Sequence, residues 1–479
     1  MTLRKAVLRQ GLCGKGGEFF LLQTIRKFHF IGIGGAGMSA IAKILLEMGY
    51  QVTGSDLVKS TGAAKLEQLG AVVFAGHNSR HLGDAEAVVV STAIPSDNPE
   101  LLAARTKQIP VFHRADMVAA LMQDRFGIAV AGAHGKTTTT SMISLVLEHG
   151  LLDPTIIIGG ELTAIGGNSK LGKSRYLVAE ADESDGSFVK LSPQIAVVTN
   201  IENDHMDYYG TMENILNAFQ EFLHKLPSDG LAVMCFDNCH IREIAKKLNR
   251  TCISYAVDSP ADYTARNIVS EGLKTSFDVF HHDNCLGTVT MQVPGRHNVA
   301  NALAAVVVGL RLGLTLDEAE KGLRVFTGAK RRFETKGRQG GVWVVDDYAH
   351  HPTEISTTLR AARGIKPERL ICIFQPHRYS RTQLLRKEFG AAFTAADLLV
   401  LTDIYSAGEH PIAGISGETL RQEVNCQTQQ QVVYIEDKDA IPAYMADIVK
   451  PGDLVLTMGA GNIYTVGEEL VKRLTDKQA

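Results

Sequence analysis

Lysine, threonine and glycine stand together in residues 127–150, GIAVAGAHGKTTTTSMISLVLEHG. Apolar residues 128–131 read as a strand, and Gly132, Ala133, His134 and Gly135 read as a turn. Lys136 and threonines 137–140 follow, and residues 141–147 carry apolar side chains at helical spacing up to a C-cap at Gly150. Strand, glycine turn, lysine, hydroxyl and helix make a phosphate cradle: backbone N–H groups and the helix N-terminus face the anion, and the ammonium adds a point charge. The hydroxyl of Thr137 or Thr138 is placed to hold Mg²⁺. The longer form of the motif has a glycine where this chain has Val130, so the motif here is the short one, Gly132-x-x-Gly135-Lys136-Thr137. A glycine turn with an incidental lysine is the competing reading, and the flanking strand and helix weigh against it.

A second glycine cluster could also hold an anion. Gly32, Gly34, Gly35, Ala36, Gly37, Met38 and Ser39 follow a strand at 28–31 and open a helix with Ile41, Leu45 and Met48 on one face. The next strand, 50–54, runs into Ser55 and Asp56, an acid about 20 residues past the glycines, as ribose recognition requires. Such a loop places a pyrophosphate over a helix N-terminus without selecting NAD, because any nucleoside diphosphate satisfies the same donors. The competing, weaker reading takes the glycines as only a tight strand–helix turn; His77, after Gly76, reads by pattern as a surface loop residue.

The elements that position these groups read as strands alternating with helices, an α/β chain of mostly parallel sheets. Strands at 176–179 and 195–199 end in EADESD (180–185) and NIENDHMD (200–207), polar clusters suited to metal coordination beside a triphosphate. Glu180 directly continues its strand, which favours it over Asp182, Glu183 and Asp185; these read as caps of the next turn or a solvated face. Residues 288–293, TVTMQV, alternate like a half-buried antiparallel strand. PGRHNVAN (294–301) then opens an apolar helix, where Asn298 and Asn301 could bracket a base or phosphate, or cap the helix. Further strands end in DDYAHHP (346–352), QPHRYSR (375–381), Asp403 and GAGN (459–462), with a basic turn at 329–334. Arginines and histidines at strand ends suit carboxylates and phosphates.

Composition narrows the class. In 479 residues, 49 basic and 52 acidic side chains leave a formal charge of −3, so no basic excess argues for nucleic acid. The 7 cysteines form no CxxC pair or metal spacing, which fits reduced thiols in the cytoplasm. No apolar run approaches a membrane span. Residues 1–26 lack periodicity and read as an N-terminal extension, expected to be disordered. The economical reading is an ATP-driven enzyme joining two small substrates, with hinged domains.

These segments together resemble the Mur ligase family. The resemblance is carried in order by HFIGIGGAGMSAIA (29–42), GSD (54–56), GAHGKTTTT (132–140), EADESD (180–185), NIENDHMDYY (200–209), PGRHNVANALAA (294–305), RRFE (331–334), DDYAHHPTE (346–354) and QPHRYSRT (375–382). It implies three domains: a Rossmann-like UDP-binding domain at 27–125, a central P-loop ATPase-type domain at 126–327 and a C-terminal Rossmann-like domain at 328–479. It implies ATP and Mg²⁺ as cofactors, and UDP-N-acetylmuramate and L-alanine as substrates of the branch it is most like. A branch joining a murein tripeptide to the same sugar nucleotide is the alternative, and a non-catalytic nucleotide switch is the alternative of another class.

Residue roles follow from the resemblance alone. Gly32, Gly34, Gly35, Ala36, Gly37, Met38, Ser39, Asp56 and His77 are expected at the UDP part. Gly132, Ala133, His134, Gly135, Lys136, Thr137, Thr138, Asn298, Arg332 and Asp347 are expected at ATP. Lys136, Glu180, His205, His350, Arg378 and Arg381 are expected at the reaction, with Thr137, Glu180 and His205 on metal. A cytoplasmic monomer or weak homodimer, with no nucleic acid and no membrane insertion, completes the expectation.

Overall fold

The computed structural model describes residues 21–58, 60–428 and 430–477. Of the expected extension, residues 1–20 lie outside the described residues. Leu21–Thr24 forms a short helical turn, and Ile25 is buried, so ordered chain precedes residue 27.

Runs of small and β-branched apolar residues become strands buried on both faces, the signature of parallel sheets covered by helices. The first sheet holds β1 (Lys27–Ile31), β2 (Gln51–Asp56), β3 (Val72–Ala75), β4 (Ala87–Val90) and β5 (Val111–His113). All are parallel, in the order β3-β2-β1-β4-β5. Strand order reverses between β1 and β4, which opens a crevice at their carboxyl ends. Helix α1 (Ala36–Glu47) starts there.

The second sheet is built around β6 (Phe126–Ala131), whose Ile128, Ala129, Val130 and Ala131 are fully buried. It also contains β7 (Thr155–Leu162), β8 (Gly167–Lys170), β9 (Tyr176–Glu180), β10 (Ile195–Val198), β11 (Leu231–Cys235), β12 (Thr251–Ala256), β13 (Tyr263–Glu271), β14 (Lys274–His281) and β15 (Asn284–Met291). The order is β15-β14-β13-β12-β11-β10-β6-β9-β7-β8. β6 therefore lies between β9 and β10, the two strands that end in the acidic clusters. Two-residue connections join β13, β14 and β15, so these neighbours are antiparallel hairpins. In β15 Thr288 is exposed while Val289 and Met291 are buried, as the alternation predicts. Helix α2 (Lys136–His149) follows β6, and helix α3 (Arg296–Arg311) follows β15.

The third sheet comprises β16 (Glu334–Gln339), β17 (Val342–Asp347), β18 (Arg369–Phe374), β19 (Leu398–Leu401), β20 (Gln431–Tyr434) and β21 (Asp453–Met458), ordered β16-β17-β21-β18-β19-β20. Only β16, at the edge, is antiparallel to its neighbour. Along β18, Leu370, Cys372 and Phe374 join one core while Ile371 and Ile373 join the other, so a two-residue period fills both faces. Two compact units result. One contains the first sheet and most of the second; the other contains the third sheet with residues 267–278 and 288–299. Among the described residues no helix is long and apolar enough to cross a membrane.

Candidate functional site

The chain leaves β6 through Gly132, with φ +143, where an added Cβ would come within 2.1 Å of Thr199 Oγ1. Gly135 caps α2 in the left-handed region, φ +81, with Asn301 Oδ1 2.8 Å from its would-be Cβ. Neither position accepts a side chain without strain. The end of β10 clamps the turn: Asn200 Oδ1 accepts from His134 N at 2.8 Å, while Asn200 Nδ2 and Thr199 Oγ1 donate to His134 O at 2.9 and 2.6 Å. Helix α2 begins at Lys136, so the lysine and Thr137 belong to its first turn, beside the helix's unpaired amides. Lys136 Nζ folds back to donate to Gly132 O (2.7 Å), Ala133 O (3.1 Å) and Glu183 Oε1 (2.7 Å). Burial alone would lower the Lys136 pKa, but Glu183, Asp182 and Glu180 outweigh it and raise it.

Carboxylates face this ammonium. Thr137 Oγ1 donates to both oxygens of Glu180 at 3.1 Å, and Gly159 N donates to Glu180 Oε2 at 2.8 Å. Burial pushes the Glu180 carboxyl up, and Lys136 offsets this only in part. Asp182 is held down to about 2: burial opposes ionisation, and the Arg114 and Lys136 charges overcome it. His205 Nε2 lies 3.5 Å from Glu183 Oε1 and 3.6 Å from Asp204 Oδ2. Burial lowers its pKa, but the Glu183 hydrogen bond and the Asp204 charge leave it raised. Glu183 Oε2 is buried without a hydrogen-bond partner among the described residues. A threonine hydroxyl and a desolvated carboxylate at a phosphate loop are hard oxygen donors, so the residues fit Mg²⁺. Of the expected metal residues, Thr137 and Glu180 are brought together, while His205 sits beside Glu183.

At the first sheet, the glycine loop uses its own amides. Gly32 N and Ile33 N donate to Ser55 O, Gly35 N donates to Gly32 O, and Gly34 N donates to Asp56 Oδ2 at 2.8 Å. Asp56 thus braces the loop. Ala36, Gly37 and Met38 form the first turn of α1, whose amides have no acceptor within a helix, and the cap Gly35 makes no side-chain bond. Ser39 Oγ donates to Ala36 O at 3.1 Å, and Asn168 Nδ2 donates to the same carbonyl at 2.7 Å. Arg114, on the helix after β5, pairs with Asp182 and lies over Gly37. The two anion loops are therefore tied within one unit.

The second unit gathers its polar groups at the carboxyl ends of β17 and β18. Asp347 accepts from Phe333 N and Ala349 N, both at 2.8 Å, and burial raises its pKa to about 6 against the pull of Arg332. Arg332 is 3.6 Å from Glu354, and its guanidinium lies 5.4 Å from the Tyr348 ring. His350 Nδ1 is 3.0 Å from Tyr348 O, and its ring meets that of His377 edge-on at 5.8 Å. Arg381 Nη1 is 3.4 Å from His377 Nδ1. Burial, then His350, Arg381 and Arg378, press the His377 pKa down to about 3, so this ring is neutral. Arg378 has φ +68, a strained value for a side-chain-bearing residue, held by its N–H bond to Tyr405 O at 2.9 Å. Asn298 Nδ2 donates to Pro294 O at 2.7 Å, a bond inside its own turn.

Family models cover nearly all of this architecture. The Mur ligase family catalytic domain matches residues 27–126, the Mur ligase middle domain 130–309, and the Mur ligase glutamate ligase domain 331–461. The chain belongs to the Mur ligase family. It is similar to the UDP-N-acetylmuramate–L-alanine ligase of Pelotomaculum thermopropionicum, 53% identical over 95% of this chain and 98% of that protein. Among solved structures it resembles the UDP-N-acetylmuramate–alanine ligase of Thermotoga maritima, with TM-score 0.81, 29% identity and coverage of 94% and 99%. It also resembles a murein peptide ligase from Psychrobacter arcticus, with TM-score 0.69, 26% identity and coverage of 94% and 98%.

In this Mur ligase, several residues of the site escaped the sequence reading. Glu183 reads as a turn cap, yet it is buried on Lys136. Asn301 reads as a partner of Asn298, yet it accepts from Thr139 Oγ1 at 3.1 Å under the phosphate turn. Arg331 reads as part of a basic turn, yet it is spent internally, donating to Asp346, Gly461 O and Gly459 O. Sequence spacing carried no signal for Arg114, which reaches Asp182 across the fold.

Proposed function

We propose that this chain is the ATP-dependent ligase that joins L-alanine to the lactyl carboxylate of UDP-N-acetylmuramate in the cytoplasm, for peptidoglycan precursor synthesis. The products are UDP-N-acetylmuramoyl-L-alanine, ADP and phosphate. The observation that carries the reading is the largely buried Lys136–Glu183–Glu180 constellation on a phosphate loop, tied within one unit to a second, amide-lined loop of nucleotide-binding form. The sugar-nucleotide specificity follows the relative that is 53% identical over nearly the whole chain.

A carboxylate is a poor acyl donor, so it must first gain a leaving group. In this reading the lactyl oxygen attacks the γ-phosphate to give an acyl phosphate, and the amine of alanine then displaces phosphate through a tetrahedral intermediate. Lys136 offsets the charge that builds as two anions approach. Thr137 and Glu180, with His205, would hold Mg²⁺, which when bound would supply further charge neutralisation. Ala36, Gly37 and Met38 bind the pyrophosphate. Asp347, Asn298 and Arg332 serve the ATP nucleotide. His350 stands near the reacting groups, and Arg378 and Arg381 hold carboxylate.

Oxygen-18 in the lactyl carboxylate should appear in the released phosphate; its absence would rule out the acyl phosphate. Phosphate release should be stimulated by alanine and not by a murein tripeptide, and the reverse result would assign the chain to the tripeptide-joining branch.

A further inference from the structure

Behind the glycine loop, Glu100 lies fully buried with its side chain at 0% exposure. It stands in the first turn of the helix Pro99–Thr106, capped by Asn98, where the helix dipole favours an anion. Four donors converge on it. Asn78 N and His81 Nδ1 meet Oε1 at 3.0 and 2.8 Å, and His29 Nε2 and Ser55 Oγ meet Oε2 at 3.2 and 2.5 Å. The His81 ring is itself stacked on Phe74 at 4.3 Å. Burial disfavours the Glu100 charge, but these hydrogen bonds dominate and hold its pKa down to about 2. The carboxylate therefore only accepts.

One further link determines a tautomer. The single hydroxyl hydrogen of Ser55 is committed to Glu100, so Ser55 Oγ can only accept from His77 Nδ1, 3.0 Å away. Nδ1 of His77 thus carries the proton. In the neutral ring Nε2 is then a bare acceptor. His77 follows Gly76 after β3, at the carboxyl edge of the sheet, and 14% of its side chain is open. In sheets of this type the pyrophosphate lies on α1 and the ribose lies near the end of β2. β3 is the neighbour of β2 on the far side from β1, and His77 stands just past its carboxyl end, within the region a base attached to that ribose would reach.

We infer that Glu100 is a positioning residue for base recognition: through Ser55 it fixes His77 as a hydrogen-bond acceptor, so that the site takes a base presenting a ring N–H. This rests on the reading of the glycine loop as a uridine-nucleotide site. Uracil offers N3–H to such an acceptor. Cytosine offers a bare N3, which leaves two lone pairs opposed. Sites built around a buried polar partner reject the mismatched analogue strongly, because the unmet group cannot return to water.

The test is inhibition of the full-length ligase by UDP and CDP in competition with the sugar nucleotide. Wild type is expected to bind UDP at least about 100-fold more tightly than CDP. Ser55→Ala leaves Glu100 its bonds from Asn78, His81 and His29 and removes the hydroxyl that bridges to His77, whose Nδ1 then faces Glu100 Oε2 only across 3.7 Å, beyond hydrogen-bond length. It is expected to bring that ratio below about 10, with the loss falling on KM for the sugar nucleotide and not on KM for ATP. Glu100→Gln lets an amide N–H donate to Ser55, whose hydroxyl can then donate to His77 Nδ1. That reverses the chain, so the ratio should fall toward about 1. Histidine-selective ¹⁵N spectra should show His77 protonated at Nδ1 in wild type. An unchanged UDP-to-CDP ratio in Ser55→Ala, or a wild-type His77 protonated only at Nε2, would overturn the inference and leave the ligase reading intact. A wild-type enzyme that UDP does not inhibit would remove the nucleotide-site reading and the inference with it.

Discussion

Glu100 is a buried charge and Lys136 a largely buried one, and each is stable because polar partners surround it. Lys136 has three acceptors, and removing it would leave Glu183 and Glu180 uncompensated beside the phosphates. Lys136→Ala should therefore lower kcat by roughly 10²–10³-fold, the scale of losing one preorganised charge at a transition state. ADP release by a variant with native circular dichroism measures it, and near-normal kcat would refute the role. Glu100 has a folded pKa of about 2 against 4.5 for the free group. The unfolded chain binds more protons in that range, so the contribution is complete above about pH 4.5 and is lost as pH falls toward 2. At about 1.4 kcal/mol per unit it amounts to about 3 kcal/mol. Urea unfolding between pH 5 and 2.5 should show this slope, and Glu100→Gln should flatten it. At this scale the sequence was most informative where chain neighbours share a job, as in Gly132, Gly135, Lys136 and Thr137. It was least informative for Glu183 and Arg114, whose partners are distant in the chain.

Elements decide whether those residues point anywhere useful. The phosphate turn works because β6 delivers it rigidly between β9 and β10, and because glycine stands where the backbone leaves the common regions. Gly132→Ala would combine a φ of +143 with a 2.1 Å approach to Thr199 Oγ1. The cost should be at least about 2 kcal/mol of stability. Nucleotide affinity should drop with it, because the His134 bonds to Thr199 and Asn200 are displaced together. Thermal melts and ADP titration calorimetry check both, and unchanged ADP affinity would show that the turn is not the cradle. The strand–turn–helix pattern was legible because periodicity switches sharply at Gly132 and Gly35. The internal use of the Gly32 and Gly34 amides was not legible, since it depends on β2 running beside β1 and presenting Ser55 and Asp56 to the loop.

In the molecule as a whole, the first sheet and most of the second share one compact unit, and specific polar contacts join their loops. Asn168 holds Ala36 O, Lys43 donates to Ser169 O at 2.7 Å, and Arg114 pairs with Asp182. The charge of Arg114 is also the leading favourable influence on Asp182, beside Lys136. If this pair transmits the position of one loop to the other, Arg114→Ala and Asp182→Ala should each lower kcat/KM for the sugar nucleotide by about 10-fold or more. The double variant should lose little beyond either single change, as coupled neighbours do. Fully additive losses would show that the pair does not link the loops. The sequence by itself determined the sheet class, both glycine loops, the lysine and hydroxyl of the phosphate cradle, and the family. Each of these is written in local periodicity or in residues a few positions apart. Only the tertiary structure decided which carboxylate meets Lys136, which amides the nucleotide loop uses internally, and that Glu100, His29, Ser55, His77 and His81 form one hydrogen-bonded chain. Those outcomes depend on strand order and register, which bring groups dozens of residues apart to within 3 Å, and no local spacing encodes that approach.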